Sequence, residues 1–213
     1  MIALQDMKST NIFLCGCLST AIAGCAIASL TGAVNSKARF DEITVGRINI
    51  EEPDGTKRLI ISNRAQFPGY YDQGKDIARP DRRDFAGMLF INDEGTENGG
   101  VIQKGSIVDG KLRAGVSLTF DRFRGDQALQ LLHEERDKSA TTSFVINDIP
   151  HHEDTKEGKH ARIFLGTSAN KASALVLQDA KGKPRMMLMV SADGAPVIQM
   201  LDERGTVVKS IAP

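Results

Sequence analysis

The chain has 213 residues, and its 27 Lys and Arg balance its 27 Asp and Glu, so it carries no formal net charge at neutral pH. The two signs are interleaved, as from Lys37 to Asp84, which excludes the one-sided basic face of a nucleic-acid-binding protein. Trp is absent, and the 20 Gly recur between short apolar runs, a pattern of many turns rather than long helices.

Ser9 to Ser36 holds no charged residue, and its centre, Ile12 to Val34, exceeds the ~20 helical residues that cross a ~30 Å hydrocarbon core. Residues 1–36 are therefore read as a membrane anchor or signal segment, and residues 37–213 as a single β-rich domain. The anchor, about Asn11 to Val34, fits best, because the apolar run is long for a cleaved signal and has no polar stripe at helical spacing. Two alternatives are a secretory signal cleaved near Ser36-Lys37-Ala38 and a lipoprotein signal. In the second, Ile22-Ala23-Gly24-Cys25 is similar to a lipobox and Cys25 would be acylated. Cys15, Cys17 and Cys25 are the only cysteines, so no disulfide can staple the domain, and cysteine usage does not identify its compartment.

Beyond Lys37 one local pattern recurs: a strand-forming run, a turn containing an acidic residue or Asn with Gly, and another run. It occurs at Glu52-Pro53-Asp54-Gly55, Asn92-Asp93-Glu94-Gly95, Asp179-Ala180-Lys181-Gly182 and Asp202-Glu203-Arg204-Gly205. Gly supplies the positive φ of a tight turn and Asp or Asn caps it, so these are hairpin signals. Predicted strands are Ile43 to Ile50, with a bulge at Gly46, then Arg58 to Ser62, Met88 to Asn92 and Val116 to Phe120. Ala128 to Leu132, whose surroundings would also suit a short helix, Thr141 to Ile146 and Arg162 to Leu165 follow. Ala174 to Ser210 reads as a four-stranded antiparallel meander with Leu175, Leu177, Met187, Met189, Ile198 and Met200 on one buried face. The predicted fold is all-β, antiparallel hairpins and meander in a sandwich or barrel-like arrangement, behind one N-terminal transmembrane or signal helix.

Two irregular stretches, Ala65 to Arg83 and Pro150 to His160, separate these elements. The first gathers the only two tyrosines, Tyr70 and Tyr71, with Arg64, Arg79, Arg82 and Arg83. Tyr and Arg anchor ligands and protein partners by stacking and forked hydrogen bonds, so this is the candidate recognition loop. A loop that packs its tyrosines across a sheet edge is the structural alternative. Asn92 to Gly100 concentrates oxygens in Asp93, Glu94, Glu97 and Asn98, a candidate calcium site without EF-hand spacing, which a plain acidic hairpin also explains. His151, His152 and His160 are read as loop residues rather than zinc ligands, because adjacent side chains of an extended segment point apart. Ser168-Ala169-Asn170-Lys171 has the S-x-x-K form of serine acyl-enzymes, but lacks its companion motifs and is read as a turn. With no phosphate-binding loop or dinucleotide fingerprint either, a hydrolase is the least supported class, and no catalytic residue or resident cofactor is assigned.

Phe40-Asp41-Glu42-Ile43, Arg47-Ile48-Asn49-Ile50, Glu52 to Gly55 and Asn92 to Gly100 resemble a family of uncharacterised bacterial β-rich proteins with an N-terminal hydrophobic segment. The likeness covers most of Phe40 to Val208 and departs from the family around Pro150 to His160, where a longer connection is usual. It implies an anchored or exported β-rich domain of the bacterial envelope and no particular activity. The expected function is a membrane-tethered extracytoplasmic interaction or structural module, self-associating or binding an envelope protein. A small-ligand or calcium-dependent binding domain is the alternative.

Overall fold

The computed structural model describes residues 37–150 and 158–213. The predicted N-terminal helix, Cys25, His151 and His152 lie outside them. Among the described residues no helix is long and apolar enough to cross a membrane. The chain divides after Thr44, and the unit Val45–Pro213 is all-β.

The strands are β1 (Arg47–Glu51), β2 (Lys57–Ser62), β3 (Tyr70–Asp72), β4 (Lys75–Ile77), β5 (Ala86–Ile91), β6 (Glu97–Val108) and β7 (Lys111–Asp121). β8 (Gln127–Arg136), β9 (Ser139–Asp148), β10 (His160–Thr167), β11 (Ser173–Gln178), β12 (Pro184–Val190), β13 (Pro196–Leu201) and β14 (Val207–Ile211) complete them. Twelve form one antiparallel sheet in the order of the chain, interrupted only between β2 and β5, where β3 and β4 make a separate hairpin. The sheet ends at β1 and β14, which are not hydrogen-bonded to each other, so it does not close as a barrel.

The turns explain the meander. In each of the turns starting at Asn92, Asp179 and Asp202, the side-chain Oδ1 accepts from the backbone N–H groups two and four residues on. The Gly at the fourth position has φ between 72° and 80°. These bonds hold the Asp179 and Asp202 carboxyls below their usual range. Ser168-Ala169-Asn170-Lys171 is a turn of the same build, with Lys171 at φ 65° in the glycine position and its N–H bonded to the Ser168 carbonyl.

Burial is concentrated at one end of the sheet. Ile60, Leu89, Ile91 and Tyr71 form the core cluster, with Phe67 and Ile102 packed against it. Phe67 also meets Phe85 edge-on at 6.3 Å. The segment between β2 and β5 thus covers one face of those strands. Beyond Ile149 no described residue is buried, so β10 to β14 have no packed inner face of the kind a sandwich would give.

Three expectations need correction. Ile43 and Val45 are exposed and the first strand starts at Arg47; its register shift falls at Ile50/Glu51, not at Gly46. The Asn92 to Gly100 loop is a four-residue turn followed by β6, a twelve-residue strand that the glycines concealed. In the C-terminal meander, Leu175 pairs with Leu188 and Leu177 with Met186, so Met186 and Leu188 share the face of Leu175, Leu177, Ile198 and Met200. Met187 and Met189 point to the opposite face. Alternation fixes each strand's two faces, but the turn fixes which one meets the neighbour, and a one-residue slip exchanges them.

Candidate functional site

The two faces of the sheet differ in chemistry. On one, cross-strand pairing aligns Ile48, Ile61, Met88, Val101, Leu118, Leu131, Phe144, Leu165, Leu175, Leu188, Ile198 and Ile211 in a single row, one residue from each of the twelve strands. Directly opposed residues lie on the same side of the sheet, so every position of this row is apolar on one face. A second row, two residues along each strand, runs through Phe120, Leu129, Ile146, Ile163, Leu177, Met186 and Met200 to Lys209. Phe90 and Phe120 stack at 6.3 Å with rings 7° from parallel, across Gly99 of the intervening strand. Although apolar, the first row is open: seven of its members are at least 36% exposed, Leu165 at 53%.

The opposite face is interrupted by polar residues. Ser117, Thr119 and Asp121 alternate along β7 with Leu118 and Phe120 of the apolar face. With Gln130 they line a cavity of about 230 Å³ between the sheet and the Arg82–Phe85 segment. That volume is below the ~300 Å³ at which ligand pockets usually begin. Arg82 closes one side: its guanidinium makes a two-pronged pair with Glu97, both bonds 2.8 Å, and also donates to the Gly69 carbonyl. Its partner comes from the first residue of β6, so the pair ties the inserted segment to the sheet.

Asp121 is the perturbed group of this cavity. Its Oδ1 is buried and has no hydrogen-bond partner among the described residues. Burial pushes its carboxyl up to about 7; Glu97 and Asp126 add to the rise, against Arg82 and Lys159. A carboxyl raised by folding stabilises most below its unfolded value, near 3.8, and loses that contribution as pH climbs through the folded value near 7. Stability should therefore fall between about pH 4 and 7, by about 1–3 kcal/mol once solvent screening at the cavity mouth is allowed for. Asp121→Asn removes the titration. Its melting temperature should vary less than the wild type's between pH 5 and pH 8, and equal slopes in thermal scans at the two pH values would refute the assignment. Below pH 4 the sign reverses, because Asp54, Asp179, Asp193 and Asp202 are all held low by hydrogen bonds that folding creates.

The candidate recognition loop is neither irregular nor uniformly exposed. Tyr71 is 5% exposed, a core residue whose hydroxyl accepts from Arg47 at 3.2 Å. Tyr70 is half-buried, and burial, with Asp72 and Glu97 nearby, raises its hydroxyl's pKa. Arg79 pairs with Asp81 in the turn that carries both, and Arg64 and Arg83 lie at the surface. Tyr70, Arg79 and Arg82 all interact with the Glu97 carboxylate, whereas Tyr71 is part of the core and bonds Arg47. The carboxylates proposed for calcium are dispersed: Asp93 pairs with Arg58, Glu94 with Arg124 and Glu97 with Arg82. No group of three or more His, Cys, Asp or Glu able to hold a metal occurs among the described residues.

The apolar row and the Asp121 cavity are both absent from the sequence-based candidates. The alternation Ser117, Leu118, Thr119, Phe120, Asp121 is a readable signal of two unlike faces, but only pairing across strands shows that the apolar positions join. No protein-family model matches the chain, and no curated protein matches it.

Proposed function

We propose that the protein is a non-enzymatic interaction module, tethered to a membrane by the apolar segment Ser9 to Ser36, with its β domain on the extracytoplasmic side. The observation that carries the interaction reading is the row of twelve apolar side chains, seven of them exposed and none of them fully buried among the described residues. Soluble monomers seldom expose an apolar patch beyond about 300–600 Å², and larger ones mark sites where something binds. The tether rests on the length and neutrality of Ser9 to Ser36.

The methionines provide the test. Met88, Met186 and Met200 lie on the apolar face, and Met187 and Met189 on the other; all five are half-buried within one chain. In membranes containing the full chain, peroxide should oxidise Met187 and Met189 faster than the other three, by about fivefold or more. Oxidation of all five at one rate would refute the interaction face. Recovery of the chain in the soluble fraction at neutral pH would refute the tether.

A further inference from the structure

We infer that the occupant of the apolar face is a second copy of this chain, the two sheets stacking face to face as a closed two-layer dimer. This deepens the interaction reading above and rests on it.

Three observations converge on this partner. The first is area. Strands ~4.8 Å apart make a row across twelve strands about 53 Å long; Gly99, Phe90, Leu59 and Ile50 continue the second row back to β1, so two rows with their side chains, about 14 Å wide, give ~700 Å². A standard stable interface buries about 800 Å² from each partner. The second is incompleteness. Domains are built from at least two packed layers, yet β10 to β14 form one layer in which no described residue is buried. A second sheet at ~10 Å would supply the missing layer. The third is symmetry. A two-fold interface uses the same patch on both copies, so it must be compatible with itself, and a patch with large fields of one sign is not.

Within the first row every position from Ile48 to Ile211 is uncharged. Lys209, at the far end of the second row on β14, is its only charged residue from Phe120 onward. A two-fold axis parallel to the strands, over the middle of the first row between Leu131 and Phe144, sets β1 over β14. The first row lies on itself, and Leu177, Met186, Met200 and Lys209 of the second row lie over Gly99, Phe90, Leu59 and Ile50, with Lys209 at the rim. Each copy has one such continuous row, because the opposite face is broken by Ser117, Thr119, Gln130, Ser143 and Gln199. The opposite face carries only the four-strand run Val145, Phe164, Val176 and Met187, so the twelve-strand row decides which face pairs.

Sedimentation equilibrium of the full chain in density-matched detergent, from 1 to 100 µM, gives the mass, and the methionine footprint gives the face. The expected result is a dimer above about 10 µM, with protection of Met88, Met186 and Met200 rising in step with dimer while Met187 and Met189 stay reactive. Leu131→Lys combined with Leu165→Lys should weaken association at least about 100-fold without altering the circular-dichroism spectrum, since both side chains are exposed in the single chain. Gln199→Lys, on the other face, should leave it unchanged.

A monomer throughout the range overturns the proposal. So does a dimer that ignores the lysine pair or leaves all five methionines equally reactive, the signature of pairing through the edges of β1 and β14. A monomer in detergent whose apolar-face methionines are protected in membranes would remove the second copy but keep the interaction face. Equal oxidation in membranes would remove both.

Discussion

Arg82→Ala should cost about 3–5 kcal/mol of folding stability, read as a lowered denaturant midpoint, because it leaves the Glu97 carboxylate buried and uncompensated. The Arg82 and Glu97 side chains are 13% and 9% exposed and share two bonds of 2.8 Å. The Arg79–Asp81 pair, at 45% and 59%, is the internal contrast. Exposed ion pairs contribute about 0–1 kcal/mol, so Arg79→Ala should scarcely move the midpoint. Arg82→Lys should restore only part of the loss, since an ammonium cannot reproduce the guanidinium fork. The double variant Arg82→Ala, Glu97→Gln should be less destabilised than Arg82→Ala, because the orphaned charge is gone. A second readout separates this pair from a purely mechanical clamp. Arg82 is one of the charges that lower the Asp121 carboxyl, so Arg82→Ala should shift the pH-dependent loss of stability near pH 7 upward. An Arg82→Ala penalty no larger than that of Arg79→Ala would show that the pair is screened like a surface one.

The parts of this fold that could be read in the sequence are those decided by a few adjacent residues. The turns at Glu52–Gly55, Asn92–Gly95, Asp179–Gly182 and Asp202–Gly205 depend on one capping side chain and one glycine, and all four join neighbouring antiparallel strands. The strand at Gln127–Arg136, where a short helix also fitted, is settled by its pairing with β7 and β9 over almost its full length. What could not be read depends on residues distant in sequence. The segment Arg64 to Arg83 looks irregular because its order comes from tertiary bonds: Arg47 to Tyr71, Arg82 to Glu97, and the Gln73 N–H to the Thr96 hydroxyl. The calcium reading counted oxygens along one loop, and the fold sends the three carboxylates to three different arginines. The phase error at Met187 and Met189 has the same origin, since only the register of β11 against β12 determines it. The twelve-residue row is the extreme case, being written one residue per strand over more than 160 positions.

Gly99→Val should be severely damaging, costing about 4 kcal/mol or more and reducing sheet content. Gly99 has φ +113°, a conformation that L side chains rarely adopt, and a Cβ there would sit 2.3 Å from the Thr119 carbonyl oxygen. Neither obstacle can be relieved by a rotamer change, because the collision is with the backbone of β7. Gly105, six residues along the same strand, supplies the control: its φ is unremarkable and a Cβ would meet nothing nearer than Ala114 Cβ at 4.0 Å. Gly105→Ala should be neutral or stabilise by about 0.4–1 kcal/mol through the unfolded chain. Equal denaturant midpoints for the two variants would show that β6 is not held as closely to β7 as described. The location of Gly99 gives the comparison a functional consequence. Phe90 and Phe120 stack across it, so bare backbone at this position is what lets two rings bridge β5, β6 and β7 on the apolar face. A branched side chain there would part the rings as well as strain the strand. The weaker variant Phe120→Ser keeps Gly99 and removes only the stack. It should therefore impair association more than folding, whereas Gly99→Val should impair both.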